Sequence, residues 1–180
     1  MADAALTPSR LWKRMTPELR QQAARAFWLD EEATDDQVQA VMLIAQQKKF
    51  RPKFVLGLDT DRKARHLSTL GSLPDAMAAR VLIVYHLAEQ RPMMGTFLDA
   101  LGIKHENGLI QDDEVKPDSA KLGPAAAQIA QQFPAEQVSL YLNTLLCQDP
   151  RRGARWKDYL SGRASASDAA RAGPYMMLMR

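Results

Sequence analysis

Two groups of side chains have the types and spacing for chemistry. The first lies in the most apolar stretch, residues 73–103 (LPDAMAARVLIVYHLAEQRPMMGTFLDALGI), where Arg80, Tyr85 and His86 interrupt a helical pattern. An imidazole there can serve as a general base or a metal ligand. A helical enzyme with Arg80, Tyr85 and His86 around an interhelical pocket is the catalytic reading. Against it, His86 has no His, Asp or Cys at i+3 or i+4, and Glu89 is its only helper on the helix. A hydrogen-bonded core histidine is the competing assignment. Arg80 reads equally as a stem laid along apolar surface, its head in water or paired with an acid.

The second group is basic and aromatic. Arg10-Leu11-Trp12-Lys13-Arg14, Lys48-Lys49-Phe50-Arg51-Pro52-Lys53-Phe54 and Arg151-Arg152-Gly153-Ala154-Arg155-Trp156-Lys157 interleave cations with rings. Cations hold phosphates and ring faces stack bases, which is what a nucleic-acid surface requires. The residues expected to contact phosphate are Lys48, Lys49, Arg51, Lys53, Arg62, Lys63 and Arg65, with Arg151, Arg152, Arg155 and Lys157. The competing assignment makes Trp12, Phe50, Phe54 and Trp156 core anchors whose charged neighbours sit at helix ends. No known DNA- or RNA-binding signature accompanies the clusters.

Other chemistry finds no support. The chain has no phosphate-binding glycine loop, no H-E-x-x-H, no G-x-S-x-G and no paired cysteines. Asp112-Asp113-Glu114 lacks the ligand spacing and turn glycine of a calcium loop. No metal site and no cofactor is expected. The lone cysteine, Cys147, follows Leu145-Leu146 and reads as a buried thiol.

The elements that position these residues are helical. The 180 residues are 46% apolar and 25% charged, an ordinary globular composition. Net charge is +3 but unevenly spread. Residues 46–66 hold seven cations against two acids, residues 151–163 five against one, and residues 30–36 five acids. No apolar run is long enough to span a membrane, and the first ten residues lack an apolar leader core. A cytoplasmic protein is the expectation.

Start and stop signals divide the chain. Leu11, Trp12 and Met15 anchor a short first helix. Thr16-Pro17 opens a second with Leu19, Ala23, Ala26 and Phe27 inward. Thr34 or Asp35 caps a third whose stripe is Val38, Val41, Met42 and Ala45. FVLGL is a helical turn or a strand fragment. Asp59 or Thr60 caps a helix to about Leu70. Pro74 opens the central helix, Arg91-Pro92 ends it, and a partner helix follows to Gly102, giving an αα-hairpin. Residues 103–123 read as a structured loop, with Asn107-Gly108 as a turn signal. Gly123-Pro124 and Pro134-Ala135 then open two further helices.

These elements predict an all-α fold: a single irregular helical bundle of seven or eight helices built from αα-hairpins over residues 1–172, followed by an apolar tail, 173–180. Prolines 17, 74 and 134 each precede a helix at intervals of 57 and 60 residues, so three stacked helical-pair units are the alternative. The tail residues Tyr175, Met176, Met177, Leu178 and Met179 suit adaptable contacts with a protein partner or a second copy. Abundant helical surface without a catalytic motif makes a protein–protein interaction or regulatory module the leading expectation. Nucleic-acid binding stands second and the helical enzyme third.

Overall fold

Prolines and capping side chains start most of the helices. The computed structural model describes residues 6–110 and 118–147. Within them the fold is all-α, with nine α-helices and one minimal hairpin. The chain divides into two compact units between Glu89 and Gln90.

In the first unit, α1 (Pro8–Arg14) follows the Thr7 cap, and Leu11, Trp12 and Met15 are buried. Thr16 Oγ1 accepts from the Leu19 N–H at 3.3 Å and begins α2 (Pro17–Leu29), with Pro17 in its first turn. Next comes α3 (Thr34–Lys48), but neither Thr34 nor Asp35 caps it. The Asp30 carboxylate instead accepts from the Glu32 N–H at 3.0 Å and starts a single 3₁₀ turn that leads into the helix. FVLGL resolves as helical, in α4 (Pro52–Leu56). Asp59 caps α5 (Thr60–Ser68) through the Arg62 N–H at 2.8 Å. The central helix is α6 (Asp75–Glu89). Helix α2 packs on α5 and α6, α1 packs on α6, and α3 touches α4, α5 and α6.

The stripe expected on α3 is rotated. Ala40, Val41, Ile44 and Ala45 are buried, while Val38 and Met42 are 54% and 55% exposed. Two apolar stripes share this helix, and its packing partners decide which is covered. On α6 Met77, Ala78, Val81, Leu82, Val84 and Tyr85 are buried as expected, while Ile83 and Leu87 are half-buried and Ala88 is exposed.

In the second unit, α7 (Arg91–Leu101) ends at Gly102, whose φ of 72° is left-handed. The Ile103 N–H reaches back to Leu98 O at 3.0 Å, and Ile103 is buried. The expected loop then contains a true hairpin, β1 (His105–Glu106) against β2 (Leu109–Ile110), antiparallel with His105 opposite Ile110. Asn107 and Gly108 have φ of 48° and 81°, as a type I′ turn requires. Gly123-Pro124 does not open a helix. It lies inside α8 (Ser119–Gln132), which starts earlier because Asp118 accepts from the Ala120 N–H at 3.0 Å. The last described helix is α9 (Ala135–Cys147). Met93, Phe97, Leu122, Ile129, Val138 and Tyr141 are among the core of this unit, with Phe97 and Tyr141 edge to face at 5.7 Å.

Candidate nucleic-acid interface

The catalytic trio does not assemble. Tyr85 is fully buried and His86 nearly so, their rings tilted against each other at 5.4 Å. Burial lowers the His86 pKa from 6.5 to about 3, which keeps the ring neutral. Arg80 points elsewhere. Its Nη2 lies 3.5 Å from Asp30 Oδ2 and its Nε 3.2 Å from Asp36 Oδ2. The second approach is off the N–H direction, so its attraction is Coulombic rather than a hydrogen bond. The acidic run before and within the start of α3 therefore receives the Arg80 head. An interhelical active site needs these three groups to face one polar cavity; two are sealed in packing and the third is committed to carboxylates.

The first basic-aromatic cluster is structural. Trp12 has no exposed surface, and its Nε1–H donates to Leu70 O at 3.2 Å. Arg10, Lys13 and Arg14 lie exposed around it.

The rings of the second cluster meet α5 at His66. The Phe50 ring, half-buried after α3, meets Phe54 of α4 edge to face at 5.2 Å and His66 of α5 at 5.3 Å. Phe54 is 53% exposed, so it is no core anchor. Its place follows from local structure. Lys49 adopts a left-handed φ of 57° that ends α3, and Pro52 in the first turn of α4 redirects the chain. Lys48 and Arg65 both act on His66: burial lowers its pKa, and the two cations lower it further. Residues separated by the whole of α4 thus share one patch.

The expected phosphate contacts divide into two sets. Arg62 Nε lies 3.3 Å from Asp59 Oδ2, and Lys63 Nζ sits 5.6 Å over the Trp28 ring. These two have local structural partners. Asp61 is taken by Arg25 Nε at 3.0 Å. Lys48, Lys49, Arg51, Lys53 and Arg65 form no ion pair among the described residues. Lys48 also lies in the last turn of α3, where a cation suits the helix dipole. The third cluster, Arg151, Arg152, Arg155 and Lys157, lies outside the described residues. So do Tyr175, Met176, Met177, Leu178 and Met179 of the tail, and Asp112-Asp113-Glu114.

The second unit offers a cleft of about 540 Å³ lined by Asp99, Gly102, Ile103, Lys104 and His105. It is poorly suited to catalysis because His105 is engaged at both ring nitrogens. Nδ1 accepts from the Gly108 N–H at 3.1 Å, which places the ring proton on Nε2, 3.1 Å from Asp99 Oδ1. His105 pins the hairpin to α7. No group of three acidic, His or Cys side chains is placed to hold a metal among the described residues. Cys147 is half-buried at the end of α9. No helix of the described residues is long and apolar enough to cross a membrane.

Sequence reasoning spans His66 within the basic stretch 62–66 but gives it no role of its own. His66 carries no local signal, because its partners Phe50 and Lys48 are brought to it only by the packing of α3 and α4. Comparison with family models, curated proteins and solved structures finds no significant match to this chain.

Proposed function

We propose that the chain binds single-stranded nucleic acid through the patch formed by Phe50, Phe54, Lys48, Lys49, Arg51, Lys53 and Arg65. One observation carries this reading. An exposed ring, Phe54, stands edge to face on Phe50, in a stretch whose cations Lys48, Lys49, Arg51 and Lys53, like Arg65 of α5, have no ion-pair partner among the described residues. Free cations can take phosphates without first breaking an ion pair, and an exposed ring offers a face to an unpaired base. A duplex, whose bases are already stacked, has less use for the ring.

The test is binding of a fluorescent oligothymidylate at low salt. Phe54→Ala is expected to weaken it roughly tenfold, the worth of about one stacked base, while Phe54→Tyr retains it. Equal affinity for wild type and Phe54→Ala would remove the ring from the site.

Capture of a protein partner, the leading expectation from sequence, draws support from one feature. Val38 and Met42 are exposed four residues apart on one face of α3, beside Asp35 and Gln39. Exposed apolar residues in twos are common on any surface, so this weighs less than the patch. Replacing Val38 and Met42 with Ser separates the readings, because the nucleic-acid site does not include them.

A further inference from the structure

Within the patch, His66 holds a position that neither stacking nor fixed charge explains. Its ring lies against Phe50, which also carries Phe54. The charges acting on it are both cationic, Lys48 from α3 and Arg65 from its own helix. The nearby acids of α5 are engaged elsewhere, Asp59 by Arg62 and Asp61 by Arg25 of α2. In the free chain these neighbours and partial burial disfavour a proton on the ring. A phosphate drawn in by Lys48 and Arg65 reverses that balance, since its negative charge favours the protonated imidazole.

We propose that His66, whose ring lies against Phe50, is a further phosphate-binding residue of this site and takes up a proton as phosphate groups settle beside Lys48 and Arg65. The inference rests on the nucleic-acid reading and adds a proton to it. Binding and protonation are then linked, and each strengthens the other. No bond is made or broken beyond uptake of one proton from water.

Oligothymidylate is the probe, because neither its bases nor its phosphodiesters titrate between about pH 5.5 and 8. Wild-type affinity is expected to rise about fivefold from the upper to the lower pH, which requires the bound ring to hold its proton at least about fivefold more tightly than the free ring does. His66→Gln keeps a neutral hydrogen-bonding side chain and is expected to lose the rise while still binding at the higher pH. In the wild-type protein, the His66 ring resonance is expected to titrate at higher pH once oligothymidylate is added. That second measurement stands even if His66→Gln folds poorly. Binding with the same pH dependence in both proteins, or an unmoved His66 titration in the complex, overturns the inference and leaves the nucleic-acid reading intact. Absence of binding at either pH overturns both.

Discussion

Lowering the pH from about 7 to about 4 is expected to cost the fold about 3 kcal/mol through one side chain, His86. Burial lowers its pKa from 6.5 to about 3 in the folded chain. The unfolded chain takes up a proton on this ring below its ordinary value, and the folded chain does not. The contribution is therefore fully present above about pH 6.5 and is lost progressively as pH falls toward about 3. Carboxylates add their own slope in the same range. The variant His86→Gln isolates the histidine: its denaturant midpoint is expected to fall less steeply with acid than that of wild type. Equal slopes in the two proteins would show that His86 takes up a proton as readily in the folded chain as in the unfolded one. That outcome would also restore a titrating imidazole to the central helix and reopen the catalytic reading of Arg80, Tyr85 and His86.

Trp12→Ala is expected to cost about 4 kcal/mol, the largest loss from any one truncation at this end of the first unit. The indole is wholly buried, and its N–H is bonded to Leu70 O at 3.2 Å. Truncation removes one of the largest apolar surfaces in the fold and also leaves the Leu70 carbonyl without that donor. Against a typical domain stability of about 5–15 kcal/mol, much of the margin would go. Trp12→Phe retains most of the packing and loses the hydrogen bond, so about 1–2 kcal/mol is expected. Chemical denaturation measures both. A loss under about 1 kcal/mol for Trp12→Ala would show that α1 frays from α6 without consequence, contrary to the buried contact described.

Helix boundaries were legible because their causes are local. Thr16, Asp59, Pro17 and Gly102 each act within a few residues of where they stand, and each does what its type dictates. The misread features depend on which of two competing signals wins. Val38 and Met42 compete with Ala40 and Ile44 for the buried side of α3, and periodicity alone does not choose between them. Gly123-Pro124 has the pattern of a helix start, but Asp118 upstream supplies the cap and the helix absorbs the proline. The hairpin at Asn107-Gly108 forms without a larger sheet because His105 anchors it through Gly108 and Asp99.

The candidate site was half legible. Charge and aromatic content marked residues 48–54 and 62–66 directly. Composition could not tell that Lys63 lies over Trp28, or that Phe50 would bridge Phe54 to His66, because those outcomes come from tertiary packing.

We propose that Lys48, Lys49, Arg51, Lys53 and Arg65, which form no ion pair among the described residues, hold the backbone of a single strand. The most direct test of this is the affinity for oligothymidylate as a function of salt. Five phosphate contacts predict a slope of log K against log salt of about −3.5, or roughly a hundredfold loss from about 50 to about 200 mM salt. Replacing Lys48, Arg51 and Arg65 with Ala is expected to reduce that slope by about two. No binding at the lowest salt, or binding whose slope the triple variant leaves unchanged, would contradict the account and make the patch a solvated surface.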